Sequence, residues 1–130
     1  MTEESGDAAG ETPGEDLVAL AHQMFDLARE GHTERLLAYV DAGVPVDLTD
    51  ASGNTLLMLG AYHGHAEVVA GLAARGADVN RLNDRGQSPL AGAVFKGEDQ
   101  VVSALLELGA DPDAGSPTAR ATAEMFGRTL

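Results

Sequence analysis

Cysteine and tryptophan are absent from this sequence of 130 residues. Without cysteine the chain cannot form disulfides, thiolate zinc sites, iron–sulfur clusters or a cysteine nucleophile. Aromatic residues make up only 4 % of the chain, so few rings could stack on nucleic-acid bases. Basic residues are also scarce, because 8 Lys and Arg stand against 21 Asp and Glu, which gives a formal charge of −13. Phosphate backbones repel such a chain, so we expect no nucleic-acid partner.

Long apolar segments are missing as well. No run approaches the ~20 residues that span a bilayer, so we expect no membrane association. The N-terminus, MTEESGDAAGETPGED, has neither a cationic start nor an apolar stretch and is not typical of a secretory signal, which favours a cytoplasmic location. Residues 1–16 contain six acids and no base, and we predict a disordered acidic tail there. Because 44 % of the chain is hydrophobic, residues 17–130 are predicted to fold as one domain.

Apolar residues recur at spacings of three and four between Leu17 and Ala28. This pattern predicts an amphipathic helix that begins near Pro13 and ends at Gly31. A second, shorter helix follows and must close before Pro45, since proline cannot continue it.

A 33-residue repeat organises the rest of the sequence. Segments 50–82 and 83–115 agree at about a dozen positions. The agreeing pairs include Gly53 with Gly86, Thr55 with Ser88, Gly64 with Gly97 and Gly76 with Gly109. The same period extends back from Gly64 to Gly31, which defines a first unit over about residues 17–49. After residue 115 a three-residue deletion leaves a shortened unit, 116–130, which we predict to be a cap with a single helix.

Each full unit is predicted to contain two antiparallel helices. Thr55 and Ser88 are suited to cap the first helix of their units, because a hydroxyl accepts a hydrogen bond from the first turn. Thr118 takes the same role in the last unit. Gly64 and Gly97 are suited to end that helix with a left-handed residue, and Gly127 is their counterpart. One unit cannot bury its apolar face alone, whereas a stack of units can.

The motifs Gly-x-Thr-x-Leu, Gly-His-x-Glu-Val-Val and Gly-Ala-Asp-Val-Asn at this period resemble the ankyrin repeat, over residues ~17–127. The resemblance implies an all-α solenoid of stacked antiparallel helix pairs with projecting hairpin-like turns. It also implies a small bacterial ankyrin protein of about four units, the outer two serving as caps. Two features depart from the family. Met58 and Ala91 replace the histidine that usually ties neighbouring turns, which predicts a looser turn network. Arg120 stands where a cap usually buries a leucine.

Catalysis is not indicated by any motif. No serine lies in a Gly-x-Ser-x-Gly elbow, no glycine-rich loop precedes Lys-Ser/Thr, and no carboxylate pair is marked as tuned. We therefore predict no enzyme and no cofactor. The group His63-Gly64-His65 with Glu67 leaves a metal- or ligand-binding role open as an alternative, although the glycine between the histidines would splay them. The resemblance gives His65 a structural role in the turn instead.

The resemblance implies that a protein partner binds the concave face, which is formed by the turn tips and the inner helices. The chain would then be a non-catalytic interaction module, acting as an accessory or regulator of another bacterial enzyme. The candidate partner-binding residues are Arg29, Glu30, Ala51, Ser52, Asn54, Tyr62, His63, Leu82, Asp84, Arg85, Gln87, Phe95, Lys96, Met125 and Phe126.

Three of the five aromatic residues, Tyr62, Phe95 and Phe126, fall at or beside one recurring position in this set. Interface anchors are often aromatic, which favours a binding role. Alternatively, the rings pack against the next helix and fill the space left by Gly60 and Gly92. Self-association through the same residues or the cap that carries Arg120 is a further alternative, so we expect a monomer or a weak homo-oligomer.

Overall fold

Seven helices form in the part of the chain that the computed structural model describes, which is residues 13–130, with side chains from residue 16. They are α1 (Pro13–Glu30), α2 (Thr33–Asp41), α3 (Leu56–Tyr62), α4 (Ala66–Ala73), α5 (Pro89–Lys96), α6 (Asp99–Glu107) and α7 (Ala119–Met125). The first helix begins at Pro13, as its pattern predicts, and so includes the last four residues of the predicted tail. The rest of the predicted tail, residues 1–12, lies outside the described residues.

The helices stack in two rows. The inner row consists of α1, α3, α5 and α7, and each of these inner helices packs on the next. The outer row consists of α2, α4 and α6, which pack on one another and on the inner helices of their own units. This arrangement confirms the predicted all-α solenoid of antiparallel pairs. Among the described residues, no helix is long and apolar enough to cross a lipid bilayer.

Hydroxyl caps begin the three inner helices that follow a turn. The Thr55 Oγ1 atom accepts a hydrogen bond from the Met58 amide at 3.0 Å, and the Ser88 Oγ atom accepts one from the Ala91 amide at 3.0 Å. Thr118 repeats this contact at 2.9 Å with the third residue after it. All three predicted caps are confirmed, and each satisfies an amide that has no partner within the helix.

The predicted glycine stops are also confirmed. The backbone φ angles are +77° at Gly31, +83° at Gly64, +71° at Gly97 and +69° at Gly127. Only glycine adopts this left-handed conformation at little cost, so one residue type recurs where each inner helix ends. The last unit consists of α7 alone, as predicted for the cap.

The core lies between the two rows. Leu57 and Leu90, one period apart, are completely or almost completely buried. Arg120 occupies the corresponding place in the cap but is exposed, and its Nε atom lies 2.9 Å from an Asp113 carboxylate oxygen. Ala119 and Ala123 bury the inward side of α7 instead. The cap therefore keeps the repeat register although one of its core leucines is missing.

Hydrogen bonds within the projecting turns fix their shape. Asp50 Oδ1 accepts from the amides of Ser52 and Asn54, both at 2.9 Å. One period later, Asn83 Oδ1 accepts from the amides of Arg85 and Gln87, both at 3.0 Å. An Asx side chain that bonds its own turn in this way holds the backbone without needing a strand partner.

Neighbouring turns are joined although the family histidine is missing. The Asn83 Nδ2 group donates to Asn54 Oδ1 at 2.9 Å, and the Asp84 amide donates to the Ser52 carbonyl at 3.0 Å. The Ser116 amide likewise donates to the Gly86 carbonyl at 3.0 Å. These hydrogen bonds connect neighbouring turns, and the sequence did not predict them.

Candidate partner-binding groove

Two adjoining cavities lie between the turn tips, residues 50–54 and 83–87, and the inner helices. Their volumes are about 200 Å³ and 340 Å³. Tyr62, Arg85 and Gln87 line both cavities, so the two form one continuous depression, called the groove below. The first cavity is lined by Ser52, Asn54, Met58, Leu59, Tyr62, Asn83, Arg85 and Gln87, and the second by Tyr62, Arg85, Gln87, Ala91, Gly92, Phe95, Pro117, Thr122 and Met125.

Seven of the fifteen candidate residues line this groove. They are Ser52, Asn54, Tyr62, Arg85, Gln87, Phe95 and Met125. Four come from the turn tips and three from the C-terminal ends of inner helices, where the stack brings the helices side by side. The repeat period therefore placed both groups of residues on one surface.

The other eight candidates line neither cavity. Ala51 and Asp84 are exposed at the turn tips. Arg29, Glu30, His63 and Lys96 stand at the C-terminal ends of inner helices. Leu82 is 40 % exposed at the boundary between two units, and Phe126 directly follows α7.

Seven lining residues were missed by the sequence analysis: Met58, Leu59, Asn83, Ala91, Gly92, Pro117 and Thr122. Met58 and Ala91 are one period apart and stand where the family has its turn histidine, so this departure was a usable signal. Small residues at Ala91 and Gly92 leave the floor of the second cavity open. Pro117 and Thr122 belong to the shortened cap. Because the cap has a deletion, the 33-residue period does not predict which of its residues reach the groove.

The ring of Tyr62 packs on the neighbouring inner helix. A Cβ atom added at Gly92 would lie 3.2 Å from Met58 Cε and 3.3 Å from Tyr62 Cδ1, so the glycine makes room for both side chains. The packing alternative is therefore correct for Tyr62 and Gly92. It is wrong for Gly60, because the side chain of Val68 fills that space, with its Cγ1 atom 2.6 Å from the position of an added Cβ.

Phe95 and Phe126 are more open than Tyr62. Phe95 is 57 % exposed and Phe126 is 50 % exposed, and their rings meet edge to face with centroids 6.0 Å apart. Met125 beside them is 72 % exposed. This end of the groove thus carries a patch of large apolar side chains at the surface, a feature typical of interaction sites.

Positive charges lie along the ends of the inner helices. Lys96 Nζ is 5.0 Å from the centroid of the Tyr62 ring, a cation–π contact. Partial burial lowers the pKa of His63 below its usual value, and the nearby charges of His65, Lys96 and Arg29 lower it further. The charges of Arg29 and Lys96 thus disfavour the protonated form of His63.

His65 serves as a connector between units. Its Nε2 atom donates to the Arg29 carbonyl at 2.7 Å, and its ring lies against Gly31. One imidazole nitrogen is therefore occupied by the backbone of the preceding unit. Within residues 13–130, no cluster of three or more His, Asp or Glu side chains could hold a metal ion.

Comparison with known proteins agrees with this architecture. The sequence model for ankyrin repeats in three copies matches residues 24–116. The chain therefore belongs to the ankyrin repeat family.

Two relatives illustrate the likeness. The chain is 48 % identical over 42 residues to the ankyrin repeat protein PA3287 of Pseudomonas aeruginosa, a match that covers 32 % of this chain and 25 % of that protein. It also resembles the crystal structure of the human ASB11 ankyrin repeat domain, with a TM-score of 0.65 and 29 % identity. That likeness covers 68 % of this chain and 40 % of the human domain, so this chain spans only part of each relative.

Proposed function

We propose that the protein is a non-catalytic interaction module that binds a partner protein in the groove. The observation that carries this proposal is the continuous groove itself, in which aromatic and apolar side chains of the inner helices adjoin polar turn tips. Membership of the ankyrin repeat family supports it, because ankyrin repeats are in general protein–protein interaction modules.

The physical basis of binding is a rigid surface. The hydrogen bonds within and between turns hold the polar tips in place, and the inner helices pack on one another beneath them. A surface that is ordered before binding loses little conformational entropy when a partner arrives. Tyr62 and Phe95 would supply most of the apolar contact area, since aromatic side chains bury much surface with few rotatable bonds.

A regulatory or accessory role beside another bacterial enzyme is part of this proposal. The match to a bacterial ankyrin repeat protein supports a bacterial setting. We place the protein in the cytoplasm, where such an enzyme partner would be available.

The experiment compares two double variants with the wild-type chain. Tyr62→Ala with Phe95→Ala removes groove aromatics, whereas Leu106→Ala with Leu108→Ala removes two exposed apolar side chains at the end of the outer row. Each tagged protein is first shown to be folded by circular dichroism and is then used in pull-downs from its native host with quantitative mass spectrometry. We expect the groove variant to lose a partner that the outer-row variant retains. Equal recovery of every partner by both variants would refute the proposal.

Self-association is a second candidate function, favoured by one observation. Phe95, Met125 and Phe126 form an exposed apolar patch at the C-terminal end of the stack. Light scattering over a wide range of protein concentration distinguishes the two functions. A mass that stays at the monomer value excludes self-association, whereas a mass that rises with concentration and falls in Phe126→Ala supports it.

A further inference from the structure

We infer that the groove accepts an acidic peptide segment, one in which a large apolar side chain is flanked by carboxylates. This inference rests on the proposed function and specifies the chemistry of the partner. It follows from three features of the groove: the sign of its charge, the availability of its cations and the shape of its second cavity.

The charge of the groove is opposite to that of the whole chain. The protein carries a formal charge of −13, with 21 carboxylate side chains. Among the described residues that line the two cavities, none is Asp or Glu, and the one charged side chain is Arg85, which lines both. A groove without carboxylates on so acidic a chain is the feature to be explained.

The nearby cations are available to a ligand. Four of the other arginines pair with aspartates at the surface: Arg29 with Asp26, Arg75 with Asp41, Arg120 with Asp113 and Arg128 with Asp99. Arg85 and Lys96 form no ion pair with any described residue. Lys96 instead lies over the ring of Tyr62, which itself lines both cavities, so its charge stands beside the groove.

Neither cavity is lined by a nearby acid, although Glu98, two residues after Lys96, lies close enough to His63 to oppose part of the local positive charge. Asp50 is at a turn tip, but its carboxylate accepts hydrogen bonds from the amides of Ser52 and Asn54 and from the Asn54 side chain. Asp84 is exposed beside Gly53 and lines neither cavity. The carboxylates elsewhere on the chain act over longer distances, and physiological salt screens exposed charges beyond about 8 Å. Arg85 is therefore the charge that a ligand in the groove meets first, and it favours carboxylates.

The second cavity provides the apolar contact. Its floor is Ala91 and Gly92, and its walls include Tyr62, Phe95 and Met125. Gly92 has no side chain, so Met58 and Tyr62 pack close to its backbone at the edge of this cavity. The volume of about 340 Å³ lies within the range of ligand pockets, roughly 300–1,000 Å³. Arg85 lines the same cavity, so an apolar side chain seated there would place adjacent carboxylates close to the guanidinium.

A defined set of probes tests this inference. The probes are fluorescent peptides of twelve residues with a central Phe or Leu, flanked by Asp and Glu, by Asn and Gln, or by Lys and Arg. Anisotropy titrations with the full chain give a dissociation constant for each probe. We expect the acidic set to bind at least about tenfold more tightly than the neutral set, which corresponds to one charge-assisted hydrogen bond. We also expect this preference to decline with added salt.

Three variants separate the possible outcomes. Arg85→Gln with Lys96→Gln should weaken the acidic probes about tenfold or more. The matched control, Arg35→Gln with Arg81→Gln, removes the same charge from two arginines that also form no ion pair with a described residue but line neither cavity, and it should leave binding unchanged. Tyr62→Ala with Phe95→Ala should weaken binding of every probe that uses the groove.

The inference and the proposed function can fail separately. If probes bind in a way that depends on Tyr62 and Phe95 but prefer neutral or basic flanks, the inference is wrong and the proposed function stands. Equal weakening of the acidic probes by the two charge variants would also overturn the inference. If no acidic probe binds with a dissociation constant below 1 mM while the native partner still depends on Tyr62 and Phe95, the inference alone fails. If neither probes nor partner depend on those two residues, both fail.

Discussion

Gly31 and Gly97 form a matched pair of positions that tests how neighbouring units are joined. Gly31 directly follows α1 and Gly97 caps the C-terminal end of α5, with φ angles of +77° and +71°. A Cβ atom added at Gly97 would meet nothing within 4 Å, whereas one added at Gly31 would lie 2.5 Å from His65 Nδ1. Alanine at the two positions therefore shares the backbone cost and differs in the contact with the next unit.

The expected magnitudes follow from these contacts. A left-handed conformation costs a residue with a Cβ atom about 1–2 kcal/mol, and part of this is offset because alanine reduces the entropy of the unfolded chain by about 0.4–1 kcal/mol. We therefore expect Gly97→Ala to reduce the free energy of unfolding by about 1 kcal/mol. Gly31→Ala must also displace the imidazole of His65 from the Arg29 carbonyl, a further loss of about 1 kcal/mol for one hydrogen bond.

Urea unfolding followed by circular dichroism measures both variants. A second background, His65→Ala, provides the control, because it removes the ring before the glycine is changed. In that background Gly31→Ala should cost only as much as Gly97→Ala. If Gly31→Ala and Gly97→Ala are equally destabilising in the wild-type background, His65 does not join the units in the way described.

Three further predictions concern the turns, the cap and the response to pH. Asn83→Ala should destabilise the protein by about 2 kcal/mol, because the Asn83 side chain forms hydrogen bonds with its own turn and with Asn54. Asn83→Asp should cost about half as much, since it keeps the acceptor oxygen. Equal losses for the two variants in urea unfolding would contradict this. Thr118→Val should destabilise α7 by about 1 kcal/mol because it removes the capping hydroxyl, whereas Thr118→Ser keeps the hydroxyl and should not. Amide hydrogen exchange within α7 measures the effect. Unchanged exchange in Thr118→Val would show that the Thr118 hydroxyl does not stabilise this helix. Because the pKa of His63 is lowered in the folded chain, the unfolded chain binds more protons as the pH falls through the ordinary histidine pKa. The free energy of unfolding should therefore decrease as the pH is reduced from about 7.5 to 5.5. Denaturant midpoints across this range should fall more in the wild type than in His63→Gln, and parallel curves would show that His63 makes no contribution.

The repeat period accounts for what could be predicted from the sequence. A residue such as Thr55, Ser88 or Thr118 caps a helix through contacts with its own first turn, so its role follows from local sequence and period together. The glycine stops are equally local, because they depend on one backbone conformation. The same period placed the turn tips and the inner helix ends on one surface, which is why seven candidate residues line the groove.

Contacts between units were harder to predict because the units are not identical. His65 and Glu98 occupy equivalent positions, yet the first donates to a backbone carbonyl and the second presents a carboxylate to Gly64. The position of the Tyr62 ring depends on Gly92 in the next unit, and Phe126 of the shortened cap meets Phe95 edge to face. Such contacts depend on which side chains face each other across the stack, and a pattern within one unit does not contain that information.

Nuclear magnetic resonance mapping of a bound acidic peptide tests most directly the claim that the groove is the binding surface. Amide and methyl shifts of the labelled full chain are followed as the tightest-binding peptide is added. The account predicts that the largest changes cluster at Tyr62, Arg85, Phe95 and Met125, with the outer helices α2, α4 and α6 little affected. Changes centred on the outer helices, or spread without regard to the groove, would contradict it.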